Sequence, residues 1–246
     1  MTPADATPDT AATMPPACVL AGGLGLRLRP AVADRPKPLA EVAGRPFLCR
    51  VLDQLAAAGV GRVVLCTGYG SSMVEERLGR RYAGMELAHS VESEPLGTAG
   101  ALRLALARVD APRVLALNGD SYCEVDLAAF AADHHTSGAR ASMVVAELPD
   151  TRHCGRVAVD GEGWIRSYEE KGATAGRGLV NAGVYLLERA VLEAIPPGRA
   201  VSIERETFPS LVGAGLRAFR TTGRLLDIGT PESLAGAAAF FDEEGA

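Results

Sequence analysis

Three kinds of side chain stand out in this sequence for the chemistry they can do. The first is a cluster of cations around bare backbone: "ACVLAGGLGLRLRPAVADRPKPLAEVAGRP", Ala17 to Pro46, carries Arg27, Arg29, Arg35 and Lys37 against only Asp34 and Glu41. Gly22, Gly23 and Gly25 leave backbone N–H groups free to approach an anion, and Arg27 and Lys37 can neutralise the charge that backbone dipoles leave exposed. Taken alone, the same stretch also describes a glycine turn flanked by solvated arginines. The second kind is a pair of carboxylates, Asp120 and Asp227, each just after an apolar run ("RVLALNGD", "LLDIGTP") and more than a hundred positions apart. Hard carboxylate oxygens suit Mg²⁺, which takes one or two of them together with phosphate oxygens. Each by itself also fits a turn residue or a helix cap. The third kind is the set of polar residues in "SYEEKG" and "LVNAGVY".

The positions of these residues depend on the elements around them. "ACVLAG", "GRVVLCTGY", "MELAHS", "RVLALNGD" and "RASMVVAEL" read as strands. Between them, "PFLCRVLDQLAAAGV", "SSMVEERLGRRY", "GTAGALRLALARV" and "LAAFAADHHTSG" have helical spacing. Such alternation predicts an α/β fold with a mostly parallel sheet covered on both faces, and ligands in such a sheet bind at the carboxyl ends of the strands. From about 150 to 190 the pattern changes to a hairpin with its turn at Asp160-Gly161, followed by the strand "GLVNAGVYLLE": a small antiparallel insertion. Helical "SIERETFPSLV", strand "LRAFRT" and helix "PESLAGAAAFFDEE" end the chain. Residues 1–16 read as a disordered tail and 17–246 as a single domain.

Composition excludes several functions. With 48% hydrophobic residues in 246, the chain builds one large core; its net charge of −5 argues against a nucleic-acid partner while allowing a local basic site. No apolar run is long enough for a membrane span, and the N-terminus lacks Lys, Arg and an apolar core, so neither a membrane nor a secretory signal is expected and the cytoplasm is the default location. Cys18, Cys49, Cys66, Cys123 and Cys154 show no ligand or redox spacing and read as small buried hydrophobes. His134 and His135 read as solvated helix residues, and Glu124 and Asp126 as solvated or capping. Neither a P-loop nor a G-x-G-x-x-G fingerprint is present.

In sum, "LAGGLGLRLRP", "RPKPLAEVAGRPFL", "PLGTAGAL", "LNGDS", "EEK", "NAGVYLL" and "DIGTP", in this order over residues 17–240, resemble the sugar-1-phosphate nucleotidylyltransferases, with "LNGDSYCEVDL" and "SIERETFP" most similar to the D-glycero-D-manno-heptose 1-phosphate guanylyltransferases. The resemblance implies a Rossmann-like, GT-A-type sheet with a sugar-binding insertion. The implied reaction joins an NTP to a sugar 1-phosphate with release of pyrophosphate and Mg²⁺ as cofactor, giving a nucleotide-activated sugar for surface polysaccharide synthesis. It assigns Leu20, Gly22, Gly23, Gly25, Arg27, Glu92, Gly97, Thr98 and Asp120 to the nucleotide. Arg27, Lys37 and Asp120 fall at the reacting phosphates, and Asp120 and Asp227 on the metal. Gly155, Glu170, Asn181 and Glu204 fall to the sugar and Lys171 to its phosphate. A helix-terminal role for Glu204 stays equally open.

Glu92 stands where thymidylyl members often have Gln. A carboxylate suits the adjacent N1–H and N2–H₂ of guanine, so GTP is expected. A UTP- or dTTP-dependent hexose or amino-sugar enzyme and a non-catalytic paralogue are the alternatives. A GT-A glycosyltransferase would show D-x-D, which "NGDSY" lacks. No hexapeptide repeats follow "FFDEEGA", so no second acyltransferase activity is expected; a homo-oligomer is left open.

Overall fold

Three largely apolar runs and one mixed strand, Met85–Val91, build the centre of the molecule. In this computed structural model, which describes residues 14–23, 25, 28, 32, 35–152, 154–169 and 176–242, the strands Ala17–Leu20, Arg62–Thr67, Met85–Val91 and Arg113–Asn118 are mutually parallel. Their spatial order is 85–91, 62–67, 17–20, 113–118, set by pairs such as Val19↔Leu65, Val19↔Leu117 and Leu65↔His89. The first strand therefore lies between the second and the fourth, and the chain winds outward in both directions from it. That reversal of winding opens a crevice at the carboxyl ends of Ala17–Leu20 and Arg113–Asn118.

The three inner strands, Ala17–Leu20, Arg62–Thr67 and Arg113–Asn118, are largely apolar on both faces because both are covered. Ala17, Val19, Val63, Leu65, Leu115 and Leu117 face one core, filled by Phe47, Leu48, Val51, Leu52 and Leu55 of helix Phe47–Ala57 and by Phe241 of helix Pro231–Asp242. Alternate residues, Cys18, Val64, Cys66, Val114 and Ala116, face a second core with Leu102 of helix Gly97–Ala105, Leu192 and Phe208. Four of the five cysteines are buried. Gly59 ends helix Phe47–Ala57 at φ 81°, the left-handed conformation that glycine adopts most cheaply.

The other side of the sheet is mixed. Gly178–Glu188 runs antiparallel to Arg113–Asn118 and to Ala141–Leu148, and Leu216–Thr221 pairs in parallel beyond the latter. The expected hairpin, Arg156–Val159 with Ile165–Glu169, adds to the first half of Gly178–Glu188. Its turn is held by Asp160, whose Oδ1 accepts from Glu162 N (3.0 Å) and Trp164 N (2.9 Å). The insertion is thus continuous with the main sheet, and ten strands join in it among the described residues. Where the insertion meets the parallel part, the Gly178–Glu188 register breaks between Asn181 and Tyr185, with Gly183 at φ 77°.

Sequence patterning did not reveal a two-stranded antiparallel ribbon, Ser121–Cys123 with Leu225–Asp227, which pairs Ser121 with Asp227. Glu124 braces it, accepting from Arg224 N (2.8 Å) and Arg224 Nε (2.9 Å), and the guanidinium holds its carboxyl below the usual range. Asp126 caps helix Leu127–Ser137 through Ala129 N (2.9 Å), one of the two roles expected of it.

Two expectations need correction. Met14 packs on the core and the Pro16 carbonyl accepts from Leu115 N (3.1 Å), so backbone pairing starts before Ala17; residues 1–13 lie outside those described. His134 is not solvated: it is buried, with Nδ1 2.7 Å from Ser142 Oγ and Nε2 3.3 Å from Glu188 Oε1. Helix Leu127–Ser137 lies against strand Ala141–Leu148, and that packing turns His134 inward while its neighbour His135 stays exposed.

Candidate active site

Leu20 and Asn118 are paired at the ends of their strands. Just beyond, Gly119 N donates to Leu20 O (2.8 Å), and a Cβ at position 119 would lie 2.7 Å from that oxygen. Glycine is needed for the two strand ends to stay this close. A cleft of about 340 Å³ opens there. Leu20, Gly22, Gly23, Glu92, Gly97, Thr98, Asp120, Glu204 and Asp227, all named from the sequence, line it. Cys66, Pro95, Ala101 and Asn118 line it too and were not foreseen. Asn118 lay inside the quoted "LNGDS", and Pro95 and Ala101 inside the quoted "PLGTAGAL"; Cys66 was read only as a small buried hydrophobe.

The glycines do different work. A Cβ on Gly22 would come within 3.0 Å of Glu92 Oε1 and 3.1 Å of Gly68 N, so its bareness serves close packing. A Cβ on Gly23 would meet nothing within 4 Å, which leaves its backbone open toward the cleft. Gly25, at φ 58°, lets the loop rest on the Lys37 side chain. Arg27 lies outside the described residues.

Lys37 begins a 3-10 turn, Lys37–Leu39, between Pro36 and Pro38. Its Nζ donates to Asp120 Oδ2 at 2.5 Å. The ribbon brings the second carboxylate to the same place. Ser121 Oγ donates to Asp227 Oδ2 (3.2 Å) and lies 3.5 Å from Asp120 Oδ1, while Ile228 N donates to Asp120 O (3.0 Å). Asp227 Oδ1 also accepts from Gly229 N (2.5 Å), which fixes its orientation. Among the described residues no group of three or more His, Cys, Asp or Glu side chains could hold a metal. The two carboxylates are hard oxygen donors of the kind that would suit Mg²⁺ completed by phosphate oxygens, with the Lys37 ammonium beside them as a cation and not a ligand, and they do not make a closed structural metal site.

On the insertion side, Asn181, Glu204 and Gly155 come together. Asn181 Nδ2 lies 2.9 Å from Tyr185 Oη, 3.3 Å from Tyr168 Oη and 3.4 Å from Glu204 Oε1. Asn181 N donates to Gly155 O (3.0 Å), and a Cβ on Gly155 would strike Tyr168 Oη at 2.7 Å. Glu204 sits in a π-helical turn, Ile203–Thr207, a form enriched at functional sites. The helix-end hydrogen bonds belong to its neighbours: Ser202 Oγ accepts from Arg205 N (3.2 Å) and Glu206 Oε1 from Ser202 N (3.0 Å). Glu204 lines the cleft from the first turn of this helix, a place that fits both of its readings. Glu170 and Lys171 lie outside the described residues.

The loop opposite is held by its own residues. Glu92 Oε2 accepts from Leu96 N (3.0 Å), and burial pushes its carboxyl above the usual range. One oxygen of the carboxylate therefore shapes the loop it was expected to read from. Thr98, assigned to the nucleotide, accepts from Ile203 N through Oγ1 (2.8 Å), joining this loop to the turn that bears Glu204. Val201 N donates to Leu96 O (2.8 Å) alongside. A Cβ on Gly97 would stand 2.6 Å from Val201 O, so this junction requires glycine.

Known proteins are similar to this chain over most of its length. The nucleotidyl transferase family model matches residues 16–244. A mannose-1-phosphate guanylyltransferase of Mycobacterium tuberculosis is 35% identical over 227 residues, 91% of this chain and 63% of that protein. The chain thus spans less than two thirds of that relative's length. A D-glycero-alpha-D-manno-heptose 1-phosphate guanylyltransferase of Aneurinibacillus thermoaerophilus is 31% identical over 88% of this chain and 94% of its own. The crystal structure of HddC from Yersinia pseudotuberculosis complexed with GMP-PN superposes with a TM-score of 0.83 at 31% identity, covering 93% of this chain and all of the other. With the family model spanning nearly the whole described chain and the cleft at the reversal of strand order, this protein belongs to the nucleotidyl transferase family.

Proposed function

We propose that this chain is a sugar-1-phosphate guanylyltransferase. A sugar 1-phosphate oxygen attacks the α-phosphorus of GTP, the α–β P–O bond breaks, and pyrophosphate leaves. The observation that carries the reading is the convergence of Lys37, Asp120 and Asp227 at the mouth of a cleft with bare glycine backbone on one wall. Attack by an anion on an anionic phosphate is opposed mainly by charge, so positioning and electrostatics supply most of the catalysis.

Each part of the cleft has a role in this reading. The Gly22–Gly23 backbone receives phosphate oxygens, and Arg27 adds positive charge to the triphosphate. Lys37 is held on Asp120 and exchanges part of that contact for a phosphate oxygen when substrate enters. Asp120 and Asp227 would hold Mg²⁺, which would supply charge neutralisation at the phosphates. Glu92 accepts from the guanine edge with the carboxylate capacity that Leu96 leaves over. Asn181 and Glu204 take sugar hydroxyls, with Gly155 and Glu170 beside them, and Lys171 takes the sugar phosphate.

For the sugar we propose a manno-configured 1-phosphate, D-glycero-D-manno-heptose 1-phosphate first. Support comes from the heptose relative, which matches over nearly its full length. Mannose 1-phosphate is the second reading, favoured by the higher identity of the mannose relative. No helix among the described residues is long and apolar enough to cross a membrane, and we place the reaction in the cytoplasm. The product would serve glycosyl transfer in polysaccharide assembly.

The test is pyrophosphate release from a matrix of four NTPs and the 1-phosphates of mannose, glucose and the heptose, with and without Mg²⁺. GTP with a manno-configured sugar should lead. Preference for UTP or dTTP would overturn the base assignment, and a glucose 1-phosphate preference with GTP would overturn only the sugar.

A further inference from the structure

Leu96, at the start of helix Gly97–Ala105, gives the helix no side-chain cap. A backbone segment from a distant part of the chain caps it instead. Val201 O accepts from Ala99 N (3.0 Å) and Gly100 N (3.3 Å), while Val201 N donates to Leu96 O (2.8 Å). Two residues on, Ile203 N donates to Thr98 Oγ1 (2.8 Å). The N–H groups at a helix start often receive phosphate. Here two of them are taken by protein, and this helix end serves as a joint.

The joint connects two walls of the cleft. On one side Glu92 Oε2 accepts from Leu96 N (3.0 Å), and Glu92, Gly97 and Thr98 line the cleft. On the other, Glu204 follows Ile203 directly and lines the same cleft, its Oε1 3.4 Å from Asn181 Nδ2. Hydrogen bonds therefore link the Glu92 carboxylate to the residue before Glu204. Val201 and Ile203 are buried in the core with Leu102 and Phe208, which anchors the strap, whereas residues 196–200 leading into it are exposed.

The seat is close because Gly100 has no side chain. A Cβ there would lie 2.7 Å from Arg199 O and 2.9 Å from Leu96 Cβ, one on each side of the joint. Gly100 sits inside the helix, is buried and does not line the cleft; its φ is not in the left-handed region. Glycine is thus needed there for the missing atom and not for backbone freedom.

We infer that Gly100 is a positioning residue: by letting residues 199–203 seat on the helix start, it makes the nucleotide loop Glu92–Thr98 and the turn bearing Glu204 one body, and so fixes the sugar subsite relative to the nucleotide subsite. The inference rests on the sugar-1-phosphate reading proposed above.

Gly100→Ala adds one methyl group at the joint and none in the cleft. The expected result is a fall of about 100-fold in kcat for GTP plus mannose 1-phosphate with each KM within about threefold, because each substrate still finds its own wall while the walls shift against each other. Melting should hardly change, since the better helix propensity of alanine offsets the crowding. Gly236→Ala in helix Pro231–Asp242 is the control: a Cβ there meets nothing within 4 Å, so kcat should stay within about twofold.

A kcat within about threefold of wild type in Gly100→Ala would overturn the inference, as would KM values that both rise about tenfold or more, which marks a loosened site. If Gly100→Ala fails to fold, hydrogen exchange of the wild type decides. The α,β-methylene analogue of GTP with Mg²⁺, added without sugar, should slow amide exchange of residues 199–203 together with residues 95–100 by at least about fivefold, since one body is ordered as a whole. Protection confined to 95–100, or none in either segment, rejects the inference. Failure of the proposed function is a separate result, a wild type that releases no pyrophosphate from any substrate pair, and the same exchange measurement then still decides the joint.

Discussion

Replacing Lys37 with Met separates its catalytic role from its structural one. The ammonium lies 2.5 Å from Asp120 Oδ2, with its side chain 10% exposed and that of Asp120 34% exposed. Two unit charges about 4 Å apart near a protein surface attract by about 4 kcal/mol before desolvation is subtracted. The net contribution to folding is far smaller, because Asp120 is open to water that replaces the lost partner. The expected cost in stability is about 1 kcal/mol, a fall in Tm of about 2–4 °C for a chain of this size. Catalysis suffers more. A preorganised donor at a transferring phosphate is worth about 2.7–4 kcal/mol, so turnover should fall about 10²- to 10³-fold. The assay is pyrophosphate release at saturating GTP and sugar 1-phosphate, with thermal melting of the same samples. Arg35→Met is the control from the same loop: its guanidinium meets Glu41 on the exposed outer side, so turnover should change less than about threefold. Turnover of Lys37→Met within about fivefold of wild type would remove the lysine from the reacting centre. A Tm loss above about 10 °C would make it a structural residue instead.

Three further outcomes are expected. Chelation should abolish pyrophosphate release and Mg²⁺ restore it. Asp227→Asn should raise the Mg²⁺ requirement sharply with little change in Tm, since its amide oxygen still accepts from Gly229 N; full activity in excess chelator would contradict the metal assignment. Glu92→Gln should weaken GTP use about 5- to 150-fold more than UTP use, compared as kcat/KM. Burial raises the Glu92 carboxyl, so any stability linked to its protonated form is present at low pH and lost as pH rises through that raised value. The Gln variant should therefore melt slightly higher than wild type at pH 8 and not at pH 4, and the reverse order would refute the linkage. His134 is shifted the other way, downward by burial and only partly offset by Glu188. Stability from its neutral form is present above the ordinary histidine value of about 6.5 and lost as pH falls through the lowered one. Melting from pH 8 to 5 should show a steeper acid loss in wild type than in His134→Gln, and parallel curves would discard the histidine as the cause.

The elements that carry the site were legible in the sequence to the extent that local chemistry dictates them. The runs Ala17–Leu20 and Val114–Leu117 are apolar at every position because both sheet faces are covered, and that pattern shows without a structure. The hairpin turn at Asp160 was legible because an Asp side chain caps its own turn. His134 was misread because helical spacing does not say which side of a helix meets a strand that comes later in the chain, here Ser142 and Glu188. Thr98 and Glu92 were assigned to a ligand, yet part of each is engaged with backbone from the loops they join, a contact that residue type alone does not reveal.

By itself the sequence determined the alternation of strands and helices, the glycine loop with its cations, and the carboxylates at strand ends, because hydrophobic period and backbone freedom are local properties. Only the tertiary structure decided that Lys37 meets Asp120 and that Asp227 lines the same cleft, linked to Asp120 by Ser121 through a short ribbon of three-residue strands too brief to show a period. It alone decided that Asn181 meets Tyr185, because that contact depends on a register break at Gly183, and register is set by how strands from distant parts of the chain pack against each other.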